Sequence, residues 1–178
     1  MSEPALHWNH PLRADNYLLN SLLEETSAHS VSIVAHHGQH GVIARQTFAP
    51  GDVILHMEGE RRVAPDRHTL QLDDNFHLAS AESQPGGYPA WRYINHACEP
   101  NSAVRGRDFV AILPIHPGDP ITFNYNTTEY HMASPFTCTC ASPFCVGVVS
   151  GFRYLDPIEQ ERLRPLLAPH LLRRLRPA

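Results

Sequence analysis

Residues 92–101 read Arg92-Tyr93-Ile94-Asn95-His96-Ala97-Cys98-Glu99-Pro100-Asn101. The stretch carries Cys98, and the other three cysteines of the chain follow as Cys138, Cys140 and Cys145 in a C-x-C-x4-C pattern. Four thiolates satisfy the tetrahedral preference of zinc. Two disulfides are the first alternative, disfavoured in an intracellular chain and awkward for Cys138 and Cys140, which are poorly placed to pair with each other. Four unrelated thiols are the second. Spacing alone favours zinc and leaves both alternatives open.

Working outward, short β-branched runs dominate. Upstream lie Val31-Ser32-Ile33-Val34, Gly41-Val42-Ile43-Ala44 and Val53-Ile54-Leu55, with Ala49-Pro50-Gly51-Asp52 as a turn before the last. Thr69 to Leu78 alternates weakly around Asp73-Asp74-Asn75 and predicts a hairpin. Downstream, Ala103-Val104 and Phe109 to Ile115 predict two strands, followed by a Pro-Gly-Asp turn at 117–119 and the strand Ile121-Thr122-Phe123. Leu18, Leu19, Leu22 and Leu23 sit at helical spacing within 12–28, predicting an N-terminal helix. Leu163, Leu166, Leu167, Leu171 and Leu175 form a second apolar stripe over 157–175, which Pro165 and Pro169 divide into two short helices. Many short strands flanked by helices indicate an α+β, mostly β fold. No βαβ rhythm is present, and Gly38-Gln39-His40-Gly41 matches neither GxGxxG nor a Walker pattern, which argues against a Rossmann or phosphate-loop site.

The 178 residues allow one domain with a real core, or one domain plus a small appendage. With 42% hydrophobic and 18% charged residues, the composition is that of a soluble globular protein. No apolar run approaches the roughly 20 residues that span a bilayer, and residues 1–11 lack the order of a secretory signal. The chain reads as intracellular and soluble. It reads as cytoplasmic rather than nuclear, because no basic import run is present. A formal charge of −4 gives no reason to expect direct nucleic-acid binding or membrane attachment. Arg162, Arg164, Arg173, Arg174 and Arg176 read as the solvated face of a helix.

The segment 92–101 closely resembles the RFxNHSCxPN motif of SET-domain methyltransferases. Three further stretches resemble that family in the right order. Residues 41–44 through 50–55 are similar to its first strands and turn, and Gly118-Asp119-Pro120-Ile121-Thr122-Phe123-Asn124-Tyr125 is similar to its G-E-E-[IL]-T-[FY]-D-Y segment. The three late cysteines, with Gly147 and Gly151-Phe152, resemble a post-SET tail. The resemblance covers roughly residues 31–155. It implies a SET fold of short β-sheets with a pseudoknot, with a SET-like domain over 31–130 and a zinc tail over 131–155, to which the leucine spacings add an N-terminal helical extension over 1–30 and a C-terminal helical segment over 156–178.

The resemblance also implies S-adenosylmethionine and Zn2+ as cofactors. Cys98, Cys138, Cys140 and Cys145 would share one zinc. Backbone groups around Asn95 and His96 would hold the adenine, the Asn95 side chain the amino-acid part, and the loop from Gly38 through His40 to Gly41 would pass close by. Arg92 would support the cofactor carboxylate or the knot, and Phe152 would close over the cofactor from the tail. Tyr125 stands where the family carries its catalytic tyrosine. The implied reaction is methyl transfer to a protein lysine, with a small-molecule amine or a cofactor-binding protein without lysine activity as the alternatives.

Three positions depart from the family pattern. Met57 stands where a second channel tyrosine is common, Asn124 replaces the aspartate before Tyr125, and Gln39 takes the place of the first glycine of G-x-G. The cofactor and zinc elements therefore match more fully than the substrate channel does.

Overall fold

The computed structural model describes residues 30–36, 39–80 and 88–175. The helix expected over 12–28, Gly38 and Arg176 lie outside the described residues. Among the described residues the strands form five small sheets. Val31–His36 (β1) and Gln39–Ala44 (β2) make an antiparallel hairpin. Val53–His56 (β3), Ser102–Arg105 (β8) and Asp108–Ala111 (β9) form one three-stranded sheet in the order β3-β9-β8. Glu60–Arg62 (β4), Thr69–Asp73 (β5) and Phe76–Ala79 (β6) form another in the order β4-β6-β5. The predicted hairpin is therefore β5–β6, turning at Asp73-Asp74-Asn75. The strand expected from Phe109 to Ile115 stops at Ala111. There the Ile112 N–H donates to the Asn101 carbonyl, and Pro114 has no N–H to continue a ladder.

Two pairings matter most for function. Asn95–His96 (β7) lies parallel to Thr122–Phe123 (β10), joining segments far apart in sequence. Asn101 locks the crossing: its amide donates to the Pro120 carbonyl at 2.7 Å and its oxygen accepts from the Thr122 N–H at 2.9 Å. The Ser102 hydroxyl donates to the Thr122 carbonyl at 2.8 Å. Asn101 and Ser102 thus supply the knot's side-chain hydrogen bonds to the β10 segment. Further on, Phe136–Thr137 (β11) pairs antiparallel with Val148–Val149 (β12), and the two strands bracket the late cysteines.

The main core gathers Phe48, Ile54, Met57, Leu78, Trp91, Ile94, Phe109, Ile115 and Phe123 between the sheets. A second core joins Phe152 to Leu163, Leu167 and Leu171. The helical stripe splits as expected into Pro157–Arg162 (α1) and Pro169–Leu172 (α2), separated by a 3-10 turn at Arg164–Leu166. Asp156 caps α1 by accepting from the Glu159 N–H at 2.8 Å, and both helices begin with proline, whose missing N–H has no partner there in any case. The basic cluster is ion-paired: Arg173 meets Asp73 at 2.8 Å and Arg174 meets Asp74 at 2.6 Å, tying α2 to the β5–β6 turn. No helix among the described residues is long and apolar enough to cross a membrane.

Gly151 joins the two cores with φ 109° and ψ 161°, and its N–H donates to the buried Asn126 side chain at 3.0 Å. A Cβ there would lie 2.8 Å from the Tyr130 carbonyl oxygen. Gly151→Ala combines a conformation essentially reserved for glycine with backbone overlap, so it should destabilise the fold by about 3 kcal/mol. Thermal denaturation should show a melting point lower by roughly 6–12 °C.

Candidate active site

The β7–β10 crossing delivers His96 and Tyr125 to one place. Asn124 caps the 3-10 turn Tyr125–Thr127: its oxygen accepts from the Asn126 N–H at 3.1 Å, and its amide points to the Cys98 carbonyl at 3.4 Å. A carboxylate would fill the first role and be repelled in the second, which accounts for asparagine where the family pattern has aspartate. The Tyr125 N–H donates to His96 Nδ1 at 3.1 Å. Nδ1 is therefore the acceptor nitrogen, and in the neutral ring Nε2 carries the proton. Burial pushes His96 down to about 3, so the ring is neutral near neutral pH and its Nε2–H faces Cys98 Sγ at 3.3 Å.

The Tyr125 hydroxyl donates to the Ile94 carbonyl at 2.9 Å. Burial, with the Glu129 carboxyl nearby, pushes the phenol well above its ordinary value, so it keeps its proton. Its ring packs on Phe123 at 4.7 Å, His96 at 5.3 Å and Phe136 at 6.0 Å. Tyr125 also borders a cavity of about 80 Å³ walled by Leu70, Trp91, Ile94, Phe123 and Met132, with Asp66, Arg67, His68, Arg92 and Ser134 among its polar lining. Trp91 is fixed there by donating its indole N–H to the Glu58 carbonyl at 3.1 Å. Met57 is not part of this lining. It is fully buried in the main core, with its N–H on the Arg107 carbonyl.

Glu129 is the unforeseen residue of this cavity. It is 8% exposed, and its carboxylate accepts from the Gln71 N–H at 2.7 Å, while the Gln71 side chain accepts from the Tyr130 N–H at 2.9 Å. Burial pushes its carboxyl up from 4.5 to about 7, with the Gln71 N–H opposing the shift. A carboxyl with a raised folded pKa binds its proton more tightly folded than unfolded, so stability falls as pH rises from the ordinary carboxylate range towards 7. Glu129→Gln removes that penalty. The variant should gain on the wild type by about 2 kcal/mol between pH 5 and pH 8, read from melting curves at the two pH values.

Of the residues expected around the cofactor, His40, Gly41 and Asn95 lie together where β2 meets β7. Asn95 donates its amide to the His40 carbonyl at 2.9 Å, leaving its side-chain oxygen without a protein partner among the described residues. The His40 ring packs on Tyr93 at 5.1 Å, and Gly41 sits in the β1–β2 ladder opposite Val34. Arg92 donates to the Ser80 hydroxyl at 2.8 Å and stacks over Tyr88 with its guanidinium carbon 3.6 Å from the ring centre. Phe152 is buried in the second core among Leu163, Leu167 and Leu171.

The four cysteines converge. All four Sγ atoms lie within 4.8 Å of one another, and Cys98 and Cys138 are 3.9 Å apart. Zn–S bonds of about 2.3 Å in a tetrahedron require sulfurs roughly 3.8 Å apart, so the donor set fits one zinc. All four cysteines are free, which answers the disulfide alternative. Burial pushes the thiol of Cys138 up to about 11. A bound divalent cation reverses that preference by favouring the thiolate.

The SET domain family matches residues 39–126, the span that holds knotted β7 and β10 and the Asn-His pair. The chain carries that domain. Methyltransferase flvH of Aspergillus flavus is 36% identical over 68 residues, covering 36% of this chain and 38% of that protein. The histone-lysine N-methyltransferase Set2 of Drosophila melanogaster is 29% identical over 140 residues, covering 67% of this chain and 6% of that protein. The H3 lysine-36 specific histone-lysine N-methyltransferase of Mycosarcoma maydis is 38% identical over 95 residues, covering 49% of this chain and 9% of that protein. The chain thus spans about two fifths of the first relative and a tenth or less of the other two. The crystal structure of KRYPTONITE in complex with mCHG DNA and SAH superposes with a TM-score of 0.53 at 17% identity, over 67% of this chain and 28% of that one, which shows a common fold.

Proposed function

We propose that the chain is an S-adenosylmethionine-dependent methyltransferase whose acceptor is an aliphatic amine, foremost a protein lysine. The observation that carries the reading is the junction of Tyr125, the Asn95-His96 strand and a cavity with aromatic and aliphatic walls. When bound, the sulfonium cofactor supplies an electrophilic methyl carbon. Asn95 offers its free side-chain oxygen to the cofactor's ammonium group, and His40 and Gly41 border it. Tyr125 orients the acceptor nitrogen at the inner end of the cavity, and Leu70, Trp91, Ile94 and Phe123 enclose its aliphatic stem and exclude water. The cysteine cluster would hold zinc as a structural ion that pins the tail beside this site. Relatives named histone-lysine N-methyltransferases support a protein acceptor, and a histone acceptor would place the chain in the nucleus. The chain itself contains no lysine, so methyl-lysine cannot arise from self-modification. Incubation with methyl-labelled cofactor, against core histones, a cell lysate and a metabolite extract in parallel, tests the reading. Methyl-lysine in protein hydrolysates supports it. Label only in small molecules moves the acceptor to a metabolite amine, and label in none of the three overturns it.

A further inference from the structure

We infer that the cavity beside Tyr125 takes an aliphatic ammonium ion, with the Glu129 carboxylate as its counterion and as the acceptor of its proton. The inference rests on the amine-acceptor reading above and narrows it. Glu129 is placed by its own N–H, which donates to the Tyr125 carbonyl at 2.9 Å, and by the Gln71 N–H on its carboxylate. One bond comes from β5 and the other from the 3-10 turn that begins at Tyr125, and both Glu129 and the tyrosine line the cavity. Among the described residues no arginine or histidine forms an ion pair with it. Arg92 is turned to Ser80 and Tyr88, and the state of the Glu129 carboxyl is set first by burial, with the Gln71 N–H opposing it. Asp66 and His68 are the other titratable groups of the lining besides Tyr125. Burial, together with Arg92 and Arg67, pushes His68 down, towards the neutral ring.

A buried carboxylate without a cation is costly, and one peptide N–H does not offset its lost hydration. A protein that retains one beside an aromatic cavity leaves the place of the cation to a ligand. The walls suit the rest of such a ligand: Leu70 and Ile94 for a methylene stem, Trp91 and Tyr125 as aromatic neighbours of a cationic head. The carboxyl's raised affinity for protons serves the chemistry as well, because a base titrating near the working pH accepts and returns a proton readily. In the step, an N–H bond of the ammonium breaks and its proton passes to a Glu129 carboxylate oxygen. The nitrogen lone pair so released forms the new bond to the methyl carbon. The bond from that carbon to sulfur breaks with its electron pair left on sulfur. The sulfonium becomes a neutral thioether, and the nitrogen is again cationic as the N-methylated ammonium.

Calorimetric titration of the full chain with n-butylammonium and with 1-butanol, at pH 8 and without cofactor, tests the assignment. The wild type should bind the ammonium at least tenfold more tightly than the alcohol. Glu129→Gln keeps the volume and an oxygen for the Gln71 N–H, and it should bind the two probes alike. Equal binding by the wild type, or an undiminished preference in Glu129→Gln, overturns the inference. Should the variant fail to fold, the wild type at pH 5 replaces it: butylammonium stays charged while Glu129 is protonated, so the preference should fall at least tenfold from its value at pH 8. A preference that survives at pH 5 overturns the inference as well. No turnover is involved. A cation preference without methyl transfer therefore keeps Glu129 as the counterion and removes the methyltransferase reading, whereas methyl transfer without that preference removes Glu129.

Discussion

Tyr125→Phe should lower the rate of methyl transfer by about two orders of magnitude while the chain stays folded, the loss typical of removing one positioned hydroxyl from a reacting centre. The ring itself has little reason to move. Phe123, His96 and Phe136 hold it on three sides, and phenylalanine keeps all of that contact. What disappears is the hydroxyl on the Ile94 carbonyl. That loss frees a carbonyl beside the cavity, where water can replace the phenol, so the stability cost is about 1 kcal/mol. Initial rates with labelled cofactor, paired with melting curves of both proteins, separate the two effects. A large fall in rate with a melting point within a few degrees of the wild type is the expected pair. Normal turnover in Tyr125→Phe removes this residue from the chemistry.

Much of the architecture was legible in the residues because it is written locally. The β-branched runs, the Asp73-Asp74-Asn75 turn and the proline-divided leucine stripe all report neighbours in sequence, and each appears in the fold. The crossing of β7 and β10 was legible for another reason: Asn95, His96, Asn101 and Tyr125 recur in a pattern specific enough to resemble one family. What escaped were properties set by distant contacts. β11 and β12 are two residues each, too short to show an alternating pattern. Met57 occupies the sequence position of a channel residue, but just past the end of β3 its side chain is buried in the main core. Phe152 looks like part of a tail over the cofactor, yet Leu163, Leu167 and Leu171 enclose it. Glu129 acquires its character from burial among segments distant in sequence, with Gln71, 58 residues away, donating to its carboxylate. One signal could have exposed it: Glu129 is the sole charged residue between Asp119 and Arg153. A single carboxylate in so long an uncharged run, four residues after the tyrosine, is a candidate for burial at the site.

Cys145→Ser should weaken zinc binding at least a hundredfold, since a thiolate ligand is lost from a closed four-sulfur set, and it should weaken cofactor binding about tenfold, the scale seen when support around a bound group is removed. The second effect follows from how the tail is held. β11 and β12 form a two-stranded pair of two residues each, which has too little burial to stand alone. Its anchors are the cysteines between the strands, the Ser142 hydroxyl that donates to the Glu99 carboxylate, and Phe136, whose ring lies 5.8 Å from His96. Cys98 belongs to the other side of the site, two residues beyond His96, and receives that ring's Nε2–H. Bound zinc would therefore join the tail to the strand that bears Asn95 and His96. Without it, Phe136 is released from His96 and Tyr125 together, and the neutral imidazole loses the thiolate that its proton faces. Zinc content by a colorimetric chelator and affinity for the demethylated cofactor by calorimetry measure the two losses separately, and chelation of the wild type should reproduce both. A variant that loses zinc and keeps wild-type cofactor affinity would show that the metal stabilises the tail alone. In that case the N–H···S contact between His96 and Cys98 is packing, and the two sites are neighbours without coupling.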